Sequence, residues 1–208
     1  MNKNIRKKLI PAFCILGAFV LWTVLVKLVN VQSIGPQGSS VGFAAMNRWL
    51  HQCTGVHMIL YSITDWLSLI PLFIAAGFGL LGLLQWIRRR SLWKVDADIL
   101  LLGIFYIIVL AFFLLFETIV INYRPVLIDG VLEVSYPSST TMLSLCVMST
   151  AIMQLRRRIK NRKLNRFACS LLAAVAAFLV IGRVFSGVHW FSDIVGGILL
   201  STGLVQLY

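Results

Sequence analysis

An uncharged apolar run from Leu9 to Val26 opens the chain behind a basic start, Lys3, Arg6, Lys7 and Lys8. A helix rising 1.5 Å per residue crosses a hydrocarbon core about 30 Å thick in about 20 residues, so this run is long enough to span. Its apolar stretch is too long for a secretory leader and no small-residue cleavage site follows it, which predicts an uncleaved first span. Five more runs follow: Trp66–Ile87, Ile99–Ile121, Met142–Leu155 (extended backward by Ser138–Thr141), Phe167–Ile181 and Trp190–Tyr208. The expected architecture is all-α, a six-transmembrane-helix bundle with both termini on one side.

Composition agrees with a bilayer and excludes a soluble globular domain: 59% of residues are hydrophobic, 12% are charged, and the mean hydropathy is +0.90. The net charge of +12 does not argue for nucleic acid, because the basic residues fall in blocks between apolar runs. Lys3–Lys8, Arg88–Lys94 and Arg156–Arg166 all lie on the cytoplasmic side if the N-terminus is inside, which is the positive-inside pattern. Residues 31–65 read as an outer loop with a short interfacial helix at Val41–Leu50. This divides the chain into a first span with its loop, 1–65, and a core, 66–208. His51 and His57 in that loop have no acidic or thiol partners arranged around them and read as solvated. Cys14, Cys146 and Cys169 lie in apolar runs and Cys53 in the loop, so no disulfide framework is implied.

With that orientation three polar stretches meet at the outer surface: Glu117–Pro125, Tyr136–Thr141 and Arg183–Asp193. In the third, His189 and Asp193 are one helical turn apart, a spacing at which the carboxylate can hold one imidazole nitrogen and leave the other free to act. Arg183 offers a planar fork to phosphate oxygens. Arg124, before Pro125, is either a head-group anchor or a second phosphate ligand. Ser138, Ser139 and Thr140 open a helix, where hydroxyls serve as caps and free N–H groups make an anion site.

These stretches resemble the motifs of the type 2 phosphatidic acid phosphatase (PAP2) superfamily: KxxxxxxRP as Glu117 to Arg124-Pro125, PSGH as Pro137-Ser138-Ser139-Thr140, and SRxxxxxHxxxD as Gly182-Arg183 with His189 and Asp193. The resemblance covers roughly residues 66–208. It implies a six-helix membrane phosphatase with an outward site, in which His189 is the nucleophile, Asp193 orients it, and Arg124, Ser138 and Arg183 bind phosphate oxygens. Ser139 and Thr140 join the phosphate-binding set, and neither metal nor cofactor is required. The implied partners are the bilayer and a lipid phosphate or diphosphate in it, here a bacterial cytoplasmic membrane, and not nucleic acid. Three positions depart from the pattern: Glu117 replaces a lysine, Gly182 a serine, and Thr140 the histidine that protonates the leaving group. Glu117 is expected as an ion-pair partner of Arg124 or Arg183, or as a substitute acid. The alternative expectation is a catalytically impaired relative that binds an anionic head group or a membrane partner. A transporter is disfavoured by the near absence of ionisable groups within the second, fifth and sixth runs.

Overall fold

The computed structural model describes residues 3–208; Met1 and Asn2, the start of the first segment, lie outside the described residues. The chain is all-helical: α1 (Lys3–Leu28), α2 (Ala44–Thr54), α3 (Met58–Leu67), α4 (Leu69–Arg89), α5 (Ala97–Thr118), α6 (Ser139–Arg158), α7 (Arg162–Ser186) and α8 (Phe191–Leu207). Pairing outside helices is confined, among the described residues, to isolated bridges such as Tyr123 with Val134.

Four stretches are long and apolar enough to cross a membrane: Leu9–Leu28, Met58–Arg89, Ala97–Thr118 and Arg162–Ser186. The sequence placed two further spans on α6 and α8, which fall short of that length or apolarity; both pack inside the bundle. α6 is the central helix, packed by α4, α5, α7 and α8, so it needs little lipid-facing surface. Its hydroxyls bond back to its own carbonyls, Ser144 to Thr141 at 3.1 Å and Thr150 to Cys146 at 2.8 Å, while Gln154 donates to the Tyr208 hydroxyl at 2.7 Å. Buried polar groups with partners of this kind carry little penalty. Around α6 the core is built from Phe19, Phe105, Val109, Met142, Cys146 and Leu200.

Two expectations need correction. The 31–65 segment is more helical than a loop with one short helix: beyond α2 it contains most of α3, which runs almost directly into α4 through Ser68. The second span therefore begins at Met58 rather than Trp66. Tyr61, Thr64 and Asp65 interrupt the apolar pattern because they face α7, while Ile59, Ile63 and Trp66 stay exposed on the outer side. Against Thr64 lies Gly182, where a Cβ would come within 2.5 Å of Thr64 Cγ2. The close approach of α3 accounts for the missing serine at that position. The third helix also ends sooner than predicted, at Thr118 rather than Ile121. Residues 119–138 form a strap over the end of the bundle, tied by Arg124 N–H to Glu133 O at 3.0 Å and Ser135 N–H to Asn122 O at 3.0 Å.

Candidate active site

The strap, the start of α6, the α7–α8 turn and the α2–α3 pair converge at one end of the bundle. The turn depends on Gly187, at φ +68, where a Cβ would collide with the Gly55 carbonyl between α2 and α3. His57 N–H donates to Ser186 O at 3.0 Å beside it.

Asp193 is not placed as its spacing suggested. α8 begins at Phe191, so His189 precedes the helix and Asp193 occupies its first turn. One carboxylate oxygen accepts the Trp190 N–H at 3.0 Å, which caps the helix; the other accepts from Asn122 Nδ2 at 2.8 Å. No hydrogen bond joins Asp193 to His189, because one helical turn relates two side chains only when both lie on the helix. The neighbouring Ser192 binds Asn47 of α2 through two bonds, at 2.9 and 3.1 Å, and its carbonyl accepts from Trp22 of α1 at 3.0 Å. Residues 190–193 thus fasten α1, α2, the strap and α8 together.

His189 is 5% exposed, and neither ring nitrogen makes a well-aligned hydrogen bond among the described residues, although the Ser135 backbone lies close enough to act on the ring. Burial holds its pKa well below the ordinary histidine value, and the Arg124 and Arg183 cations push in the same direction. The ring is therefore neutral near pH 7, the protonation state a nucleophile needs.

Arg183 is 1% exposed. Its Nη2 pairs with Asp65 of α3 at 2.8 Å, and its Nε and Nη1 have no partner. Arg124 Nε lies 2.9 Å from Glu133 Oε2 as an ion pair off the hydrogen-bonding line, and its Nη1 is also unpartnered. The two guanidinium carbons sit 5.8 Å (Arg124) and 4.9 Å (Arg183) from the centroid of the Tyr61 ring, so both cations share one aromatic face partner. A cavity of about 600 Å³ opens onto Arg124 and His189, with Glu117, Ser135 and Ser139 on its wall and Phe112, Phe113 and Phe116 on its apolar side.

Of the remaining expected residues, Ser138 is the N-cap of α6: it is fully buried and its Oγ accepts from Thr141 Oγ1 at 3.0 Å. Thr140 is buried and does not line the cavity, whereas Ser139 does. Glu117 is exposed and makes no ion pair; the arginines expected to hold it are paired with Glu133 and Asp65 instead. Tyr61 and Asp65 were assigned no role from sequence. Their i, i+4 spacing, with Thr64 between, is the polar face of a helix and was the available signal. His51 is not free in solvent either: its ring packs 5.5 Å from Trp190, it shares a small cavity with His189, and burial lowers its pKa.

Residues 116–208, which hold all three polar stretches, match the model of the PAP2 superfamily. A search against curated proteins returns no significant match. Among solved structures the chain is similar to a transmembrane PAP2-type phosphatidylglycerolphosphate phosphatase from Bacillus subtilis. The TM-score is 0.62 at 16% identity, over 94% of this chain and 92% of that one. The family model thus matches the part of the chain that bears the site, and the fold of a PAP2-type membrane protein extends over nearly all of its length.

Proposed function

We propose that the protein is a membrane lipid phosphatase acting on a lipid phosphate or a polyprenyl diphosphate, with His189 as nucleophile and the site facing outward from a six-span bundle. The observation that carries this reading is the meeting of a buried neutral imidazole with arginine donors that have no protein partner: His189 and Arg124 on one cavity, Arg183 beside them over Tyr61. Buried N–H groups of this kind are costly unless an anion engages them. Outward orientation rests on the basic segments at Arg88–Lys94 and Arg156–Arg166, which join helices at the end of the bundle away from this site.

In the proposed reaction a ring nitrogen of His189 attacks phosphorus and the bond from phosphorus to the lipid oxygen breaks. That oxygen leaves with the electron pair and takes a proton from solvent. Water then adds to the phosphohistidine, the P–N bond breaks, inorganic phosphate departs and neutral imidazole returns. Arg124 and Arg183 balance the charge on the equatorial oxygens. Asp193 contributes by fixing the start of α8, and with it the turn that carries His189.

Substrate preference follows from the leaving group. A monoester expels an alkoxide, which depends on the general acid that Thr140 cannot supply, a loss of about 10²–10⁴ in rate. A diphosphate expels a lipid-linked phosphate, a much weaker base, and loses less. Glu117, exposed as it is, does not replace the acid.

The test is phosphate release by purified protein from phosphatidate, phosphatidylglycerophosphate and polyprenyl diphosphate. Fastest turnover is expected on the diphosphate, abolished by His189→Ala, with Thr140→His raising the rate on phosphatidate. The binding-only reading is favoured by one observation, the absence of an orienting bond to His189. Equal inactivity on all three lipids, unchanged by Thr140→His combined with Glu117→Lys, would establish that reading instead.

A further inference from the structure

At the opposite end of the bundle from His189, the end of α6 and the start of α7 enclose a second recess, of about 650 Å³. Its wall carries Arg156, Arg157, Lys160, Arg162 and Arg166, and none of these makes an ion pair or a side-chain hydrogen bond among the described residues. Arg158, in the same basic run, is different: it turns inward to Asp98 at 2.8 Å and to Asp96 at 3.5 Å. The acidic side chains at this end are thus already engaged, and the cations of the recess remain uncompensated.

The recess is held in shape. Asn165 Nδ2 donates to the carbonyls of Leu155 at 2.8 Å and Ile159 at 3.1 Å, which pins the first turn of α7 to the last turn of α6. The Asn161 side chain caps α7 by accepting from Lys163 and Leu164 N–H. Toward the bilayer the wall becomes apolar, at Ile152 and Ala173.

A cationic rim above an apolar wall at Ile152, Ile159 and Ala173, in one recess between two helices, matches an amphipathic anion and neither a nucleic acid nor a free phosphate. We propose that this recess is a binding site for an acidic phospholipid of the leaflet opposite the active site, its phosphate between the α6 and α7 guanidinium groups and an acyl chain against the apolar wall at Ile152 and Ala173. Topological bias alone would require only that the cations be present on this side. It would not require them to line one concavity with an apolar floor, the form that head-group pockets take between membrane helices. The proposal is independent of the chemistry at His189.

The test uses the full-length protein in nanodiscs of mixed phosphatidylglycerol and phosphatidylcholine, followed by detergent extraction and counting of retained lipid. Wild type is expected to retain phosphatidylglycerol over phosphatidylcholine by about tenfold at moderate salt. The variant combining Arg156→Gln, Arg157→Gln, Lys160→Gln and Arg166→Gln should lose that preference. So should Ala173→Trp, which leaves every charge in place and fills the apolar side of the recess. Arg88→Gln with Arg90→Gln, removing exposed cations elsewhere on the same side, should keep it. An equal loss in that control would mean a diffuse electrostatic film and overturn the site. Retention by Ala173→Trp, or displacement of the lipid by free glycerol phosphate, would overturn the phospholipid assignment.

Discussion

The two ends of the bundle use the same residue types in opposite ways. At the α4–α5 end Arg89 and Arg158 meet Asp96 and Asp98 in ion pairs that remain partly exposed. At the other end Arg183 and His189 are almost wholly buried, and four of their side-chain nitrogens, Arg183 Nε and Nη1 and both of the His189 ring, have no hydrogen-bond partner among the described residues. Satisfied charge holds a structure together, and a buried charge with unused donors is a cost to the fold unless something binds there. The contrast, more than the presence of arginine or histidine, separates a site from a scaffold.

The sharpest way to break this contrast is His189→Gln, expected to lower phosphatase activity by about 10³-fold or more with little change in melting temperature at pH 7, since it keeps most of the buried volume and the ring it replaces makes no well-aligned hydrogen bond. A fall in stability with activity intact would make His189 scaffold. Asp193→Asn should do the reverse at the same end. Its amide cannot accept from both Asn122 and the Trp190 N–H, so a loss of about 3 kcal/mol is expected in reversible unfolding in mixed micelles. Arg183→Lys keeps the charge but offers one nitrogen where Asp65 and an anion compete. A fall of about 10–100-fold in kcat/KM is expected, with little change in melting temperature.

Proton linkage probes the same difference. His189 stays neutral in the folded protein below the pH at which the unfolded chain takes up a proton, near 6.5. Its contribution to stability is therefore complete above pH 6.5 and is lost as pH falls from there toward the depressed folded value. The slope is at most about 1.4 kcal/mol per pH unit, and His189→Gln should flatten it in unfolding measured from pH 7 to 5. The smallest effect is expected at the other end, where Arg158→Gln removes a partly exposed pair with Asp98. About 1 kcal/mol or less is expected, with phosphate release unchanged.

Much of the site was legible as chemistry before it was legible as geometry. The sequence identified Arg124, Arg183 and His189 because polar residues between apolar runs are expensive enough to demand a use, and their spacing carried the family pattern. Glu117 was expected to pair with an arginine seven residues away on one helix, but α5 ends at Thr118. The strap then turns Arg124 to Glu133 instead. Asp193 was assigned to His189 by helical spacing, and the helix begins two residues too late for that spacing to apply.

What the sequence determined by itself is the membrane environment, the helical class and which polar groups are candidates for a site. Each of these follows from local quantities: the length of an apolar run, the charge of a loop, the chemistry of a side chain. Only the tertiary structure decided which groups are partnered. Asp65 reaches Arg183 across 118 positions of sequence and Asn47 reaches Ser192 across 145. No periodicity encodes such pairings, because they depend on how closely α2 and α3 pack against α7 and α8, and that closeness is set by shape: a glycine at 182 against Thr64, and another at 187 against the Gly55 carbonyl.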